Sequence, residues 1–290
     1  MLEMQKDKWL FEITPKKSLF TVNLKEVWQY RDLLILFVKR DVVTKYKQTV
    51  LGPIWYLIQP LFTSVIFTLI FNNIANIPTN GVPAFLFNLA GITCWNYFKD
   101  CLTQTSDTFK NNEGIFGKVY FPRVVMPLST IFSNLLKFGI QLLIFIAFYI
   151  YFAVKGLSVS FTLDLLYLPI LTLSMGFLSL GLGMMVSSMV TKYRDLTYLL
   201  TFGVSLLMYL SAVMYPVEVA VDKMRNFPIA IKMIEYNPMT IVIENFRNIV
   251  FNSSSVDFLE IIYVVIISFF VFMLGLVVFN KTEKTFIDTI

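Results

Sequence analysis

Residues 48–98 carry no charged side chain. As one straight helix at ~1.5 Å per residue, these roughly fifty residues would run about 75 Å, over twice a hydrocarbon core of ~30 Å. The stretch therefore has to turn back on itself. Residues 76–83, NIPTNGVP, supply the turn chemistry with two prolines and an Asn-Gly pair. This divides the segment into a first span over residues 54–74 and a second over 84–98, the latter short enough that a re-entrant segment is the alternative.

Composition extends the conclusion to the whole chain. With 57% hydrophobic and only 15% charged residues over 290 positions, it holds more apolar surface than a soluble domain of this size can bury. Further apolar runs predict spans over residues 128–154, 165–190, 196–215 and 258–279. On a six-span reading the inner segments hold 18 Lys and Arg and the outer segments 5, with Lys137 inside a span. The expected fold is an all-α integral membrane protein with six transmembrane helices. Residues 1–49 form an amino-terminal segment, 50–282 the transmembrane domain and 283–290 a tail, with both termini on the cytoplasmic side of a cell inner (plasma) membrane. The first fifty residues hold ten Lys and Arg and no early apolar core, so no signal peptide is expected there.

Three segments lie outside the spans. Residues 23–48 begin with Asn23 three positions before Glu26, a capping-box spacing, and their apolar residues recur mostly every three or four. They read as an amphipathic helix on the inner membrane surface, or one packed on a partner or on the chain's own spans. Residues 106–129 are too long and polar for a plain turn, which leaves either a contact for a motor subunit or a solvated connector. Residues 216–257 contain Pro216, Pro228 and Pro238 around apolar stretches too short to cross, which suits two short helices dipping into the outer leaflet.

Much chemistry is excluded at the outset. The chain has no histidine and two cysteines, so a His/Cys metal cluster and a histidine acid–base pair are ruled out. Its only Gly-Lys pair, Gly117-Lys118, lacks the second glycine and hydroxyl of a P-loop. The carboxylates lie nearly all outside the predicted spans, which argues against an embedded transferase or an ion-coupled carrier. Lys137, nine residues into its span, needs a cavity, a partner or a headgroup and is a functional candidate. A stripe of Gly176, Ser179, Gly183 and Ser187 permits close helix contact, either within the subunit or between two.

Four stretches, RDVVTKYKQTVLGPIWYLIQP (40–60), GKVYFPRVVMPLS (117–129), KYRDL (192–196) and EYNPMTIVIENFRN (235–248), together resemble the channel subunits of bacterial polysaccharide ABC exporters. This is the type-2 ABC transporter permease family, which exports O-antigens, capsules and teichoic acids. The resemblance covers residues 23–284. It implies a channel that pairs with a second copy of itself, binds two copies of a separate P-loop ATPase that carries ATP and Mg, and moves a lipid-linked glycan. It implies neither an enzyme nor a nucleic-acid partner, and no cofactor or metal on this chain.

By the same resemblance, Asp107, Lys110, Glu113 and Lys118 belong to a coupling helix, with Arg194 and Asp195 on a further cytoplasmic loop. Arg40, Tyr46, Gly52, Pro53, Trp55 and Pro60 form a gate helix and its hinge, and Pro216 and Pro238 an outer re-entrant gate. Aromatic rings stack on the C–H faces of sugars, which makes Trp55, Tyr56, Trp95 and Tyr97, with Lys137, candidates for the channel wall. O-antigen is the expected cargo. Teichoic acid or capsule is the alternative, and a drug or lipid permease a more distant one.

Overall fold

The computed structural model describes residues 24–44, 52–116, 118–119, 121–156, 162–193 and 195–286. All regular elements among them are helical. In chain order they are α1 (Leu24–Gln29), α2 (Arg31–Thr44), α3 (Trp55–Phe67), α4 (Ala84–Ser106), α5 (Thr108–Phe116) and α6 (Val125–Val154). Then come α7 (Leu168–Val190), α8 (Leu196–Leu210), α9 (Val217–Lys223), α10 (Pro228–Glu235), α11 (Pro238–Phe251) and α12 (Phe258–Phe286).

Among the described residues, four stretches are long and apolar enough to cross a bilayer: Trp55–Ile74, Val125–Val154, Leu163–Val190 and Phe258–Glu283. The first continues α3 into a π-helical turn, Thr68–Ile74, and the turn predicted at residues 76–83 separates it from α4. Asn72 and Asn88 close that corner, with the Asn88 amide donating to Asn72 Oδ1 at 2.8 Å and to Thr68 Oγ1 at 3.1 Å.

α4 corrects the second predicted span. Its apolar run ends at Phe98, but the helix continues to Ser106 and carries Lys99 and Asp100 with it. The reason is its surroundings. α4 packs against α3, α6, α7, α8 and α11, and its buried residues extend from Leu86 to Ser106. A hydropathy pattern reports contact with lipid, whereas a helix sheathed by protein can carry polar residues if neighbours satisfy them.

The small-residue stripe of α7 faces α4, so its contact is internal. Ser179 and Ser187 are buried, a Cβ on Gly176 would lie 3.1 Å from the Tyr97 hydroxyl oxygen, and one on Gly183 would lie 2.6 Å from the Thr105 Cβ. A second close approach joins α7 to α12. A Cβ on Gly181 would stand 2.5 Å from the Val271 carbonyl oxygen, and one on Gly275 would overlap the Gly181 backbone.

The amino-terminal segment is two helices rather than one. A tightened turn at Tyr30, whose N–H reaches Val27 O at 3.1 Å and Glu26 O at 3.3 Å, separates α1 from α2. Val27, Leu33, Leu34 and Phe37 pack on the protein's own α5–α6 region, where the Phe37 and Phe121 rings lie 5.9 Å apart. Trp28, Ile35, Leu36 and Val43 stay exposed on the other side. The helix pair therefore packs on the protein with one face and leaves apolar and charged residues exposed on the other.

Residues 216–257 form three helices where two were expected. Pro228 sits at the first position of α10, where its missing N–H is no loss, and so starts a helix of its own. α11 does not dip freely into a leaflet. Most of its residues are buried, and it packs against α4, α7 and α12.

Candidate functional site

The first candidate region is the end of the bundle that carries α5. One face of this helix buries Phe109 and Phe116 while Lys110, Asn111, Glu113 and Gly114 are exposed. Phe109 stacks on Phe279 of α12, with centroids 4.7 Å apart. The Arg123 guanidinium lies 5.0 Å over the Phe116 ring and donates to the Glu283 carbonyl at 3.3 Å. Burial holds the Arg123 pKa below its ordinary value, and the Glu283 charge offsets part of that shift. Three aromatic rings and one guanidinium thus fasten α5 to the end of α12. Of the residues assigned to coupling, Lys110, Glu113 and Lys118 are exposed, and Asp107 is half-buried at the α4–α5 corner.

The hinge residues follow at the start of α3. Gly52 has φ +51°, a left-handed backbone suited to ending one helix before another, and it opens the 3-10 turn Gly52–Ile54 that leads into α3. Pro53 occupies that turn and Trp55 is exposed. Pro60 lies inside α3, where its ring removes the donor to the Tyr56 carbonyl, and the Ser64 hydroxyl donates to the Pro60 carbonyl at 2.7 Å. Arg40 pairs with Asp41 at 2.8 Å and covers the Phe37 ring at 4.9 Å. Tyr46 and Arg194 lie outside the described residues, and Asp195 immediately precedes α8.

Two of the proposed channel aromatics belong to the core instead. Trp95 and Tyr97 are 2% and 4% exposed; Trp95 packs against Phe98, and Tyr97 against Phe138. They lie on the sheathed side of α4. The open side of the same helix is polar. Between Leu86 and Ser106 the residues not buried are Asn96, Lys99, Asp100, Thr103 and Gln104, a single stripe at helical spacing. Lys137 of α6 reaches this stripe. It forms an ion pair with Asp100 and lies 4.9 Å from the centroid of the Tyr56 ring of α3. One turn nearer α5, Gln104 and Asn134 exchange hydrogen bonds at 3.3 Å.

At the opposite end, α8 stops short and α11 caps it. Asn237 accepts from the Met239 N–H at 3.0 Å as the N-cap of α11, with Pro238 next to it in the first turn. Asn237, Thr240, Glu244 and Arg247 follow at intervals of three, four and three, which places them on one face. Asn237 and Thr240 each donate to the Leu210 carbonyl at 3.2 Å. Arg247 donates from Nη1 to the Ala212 carbonyl at 2.9 Å and from Nη2 to the Val213 carbonyl at 2.6 Å, and it stacks 3.6 Å from the Phe87 centroid of α4. The last carbonyls of an α-helix lack intrahelical donors, and here α11 side chains satisfy the final one of α8, Leu210, and the Ala212 and Val213 carbonyls just beyond it.

Sequence reasoning does not single out Arg247, although a signal is there: a lone cation in an apolar helix, on the same face as Asn237 and Thr240. Arg247 Nη1 also donates to Glu244 Oε1 at 3.4 Å. Beside it, Glu218, Glu235, Glu244, Asp257 and Glu260 line a cavity of about 640 Å³, into which Pro216 leads at the start of α9. Glu260 of α12 accepts from the Asn245 amide at 2.7 Å.

The arrangement has one polar end with an outward-facing, firmly tethered helix, one capped end built from short helices, and a polar cleft between α3, α4 and α6. Among the described residues no group of three or more His, Cys, Asp and Glu could hold a metal ion.

The chain is 26% identical to an O-antigen export system permease protein RfbA of Klebsiella pneumoniae, over 89% of this chain and 94% of that protein. It is 22% identical to the protein of the same name from Myxococcus xanthus, over 92% of this chain and 98% of that protein. The ABC-2 type transporter family matches residues 32–251, which contain the polar stripe of α4, the tethered α5 and the α11 cap. The chain belongs to the ABC-2 type transporter family.

Proposed function

We propose that this chain is the transmembrane permease subunit of an ATP-driven exporter that moves lipid-linked polysaccharide, O-antigen foremost, across the bacterial inner membrane. The observation that carries the reading is the near full-length similarity to two O-antigen export permeases. ATP and Mg belong to a separate P-loop ATPase, bound in two copies. α5 is its docking helix, since it presents Lys110 and Glu113 outward, with Lys118 just beyond, on a base that α12 holds rigid.

In this reading α3, α4, α6, α7, α8 and α12 are the six spans, with both termini on the cytoplasmic side. α8 has 15 residues, which at ~1.5 Å each give about 22 Å, less than a hydrocarbon core. The α9–α11 segment completes that crossing. The exporter contains a second copy of this chain.

Deleting the chain is expected to abolish surface polysaccharide while lipid-linked glycan accumulates on the cytoplasmic side, measured by gel electrophoresis of surface and whole-cell glycans. Unchanged surface polysaccharide would overturn the reading. The docking assignment has its own test. Reversing Lys110 and Glu113 together (Lys110→Glu, Glu113→Lys) is expected to weaken co-purification with the ATPase about tenfold, or ~1.4 kcal/mol, without shifting the melting temperature of the isolated chain. Both side chains are exposed, so retained co-purification would move the docking surface elsewhere.

A further inference from the structure

We infer that the cleft bounded by Tyr56, Asn96, Lys99, Asp100 and Lys137 is an anion site for a phosphate ester carried on a lipid. The inference rests on the exporter reading for its substrate class, and on the following geometry for its place.

The cleft holds two cations and one anion. Asp100 pairs with Lys137 and stands 3.7 Å from Lys99 Nζ, and Lys99 Nζ also donates to Asn96 Oδ1 at 3.4 Å. The formal charge of the group is therefore +1. Side-chain exposures of 14% for Lys137, 15% for Asp100 and 32% for Lys99 make it neither a sealed core pair nor a solvated surface pair. In surroundings of low effective dielectric an excess ammonium charge attracts an anion strongly, provided the anion can reach it.

The groups around the cleft fit a phosphate. Two ammonium groups supply up to six donors and Asn96 another amide, while the Tyr56 ring stands on the same side. Tyr56 lies in the first turn of α3. The cleft also sits close to the α5 end of the bundle, two helical turns of α4 from Asp107. That is headgroup depth if α5 faces the cytoplasm. A lipid whose phosphate rests here can keep its chain among the exposed apolar residues of α3, such as Phe62, Val65 and Ile66.

Asp100 then has a definite role. With the site empty it neutralises Lys137, which allows that ammonium to sit within the bundle. When an anion arrives, Lys137 and Lys99 are shared between the two acceptors, so Asp100 limits the affinity and favours release. A residue that only stabilised the fold would not do this.

The test uses the full-length chain in phosphatidylcholine nanodiscs with radiolabelled farnesyl diphosphate as the probe. Wild type is expected to bind it, with affinity falling as salt rises. Lys137→Gln and Lys99→Gln should each weaken binding roughly tenfold, and Asp100→Asn should tighten it several-fold. If Lys137→Gln fails to fold, Lys99→Gln on the more open side of the cleft carries the comparison. Equal binding by wild type and Lys99→Gln, or weaker binding by Asp100→Asn, would overturn the site.

Phosphatidylglycerol in the nanodisc separates the two sources of the phosphate. Lysine-dependent displacement of the probe assigns the cleft to an ordinary anionic headgroup, and its absence assigns it to the prenyl diphosphate. The two readings also fail separately. Lysine-dependent binding in a chain whose deletion leaves surface glycan intact would keep the site and remove the exporter. Lysine-independent binding in a chain whose deletion abolishes the glycan would do the reverse.

Discussion

Arg247→Ala is expected to lower the thermal unfolding midpoint of the full-length chain by roughly 10 °C, the effect of about 3–5 kcal/mol on a domain of this size class. The side chain is 2% exposed, and its two terminal nitrogens satisfy the Ala212 and Val213 carbonyls just beyond α8. Truncation leaves both acceptors without these donors, opens a void beside Phe87, and leaves Glu244 without its nearby cation. Gly91 of α4 shows how tightly the group is held, since a Cβ there would lie 2.5 Å from Arg247 Nη2 and from the Val213 carbonyl oxygen.

The protein carries its own probe for this measurement. Cys94 and Cys101 are free and buried on α4, so a thiol-reactive fluorophore reports the temperature at which the helices around α4 part. Arg247→Lys should fall between the two, because an ammonium keeps the charge but cannot span both carbonyls with a rigid fork. A midpoint for Arg247→Ala equal to that of wild type would mean that water supplies those donors, and the cap would lose its structural role.

What the sequence reveals and what it hides follow from one distinction. The charge-free run from 48 to 98 and its turn at 76–83 are legible because length against bilayer thickness is a hard constraint. A helix at α5 is expected from the family resemblance, whereas the polarity of residues 106–129 alone leaves a solvated connector equally open. The reach of α4 is not legible, since polarity there is set by neighbouring helices and not by lipid. The same limit explains the channel candidates. Trp95 and Asn96 are adjacent in sequence, yet a rotation of ~100° per residue puts one in the core and the other in the cleft. Aromatic identity carries no phase for that rotation. The stripe at 96, 99, 100, 103 and 104 carries it, once the helix is known to continue past Phe98. Asp100 supplies the partner that Lys137 requires, and it is hidden for the same reason: hydropathy ends the span at Phe98 and leaves Asp100 in a loop.

Gly275→Leu is expected to abolish the accumulation of monodisperse protein, and Gly275→Ala to lower the unfolding midpoint clearly. Backbone meets backbone where α7 crosses α12, so a Cβ on Gly275 would overlap Gly181 and one on Gly181 would stand 2.5 Å from Val271 O and 2.6 Å from Phe272 N. No rotamer change relieves such a contact, and the two helices have to separate along their length. Overpacking in ordinary cores costs about 1–3 kcal/mol, and the upper end applies where nothing flexible can yield. Controls lie in the same bundle. A Cβ added to Gly139 or Gly203 would meet open space, so Gly139→Ala and Gly203→Ala should leave the midpoint unchanged or raise it. The contrast separates a steric seam from a general intolerance of substitution in membrane helices. If Gly275→Ala behaves like the controls, α7 and α12 slide past one another freely. If it behaves as expected, the pair is one rigid piece, and because Phe279 of α12 carries Phe109 of α5, any push on α5 has to move α7 and α12 together.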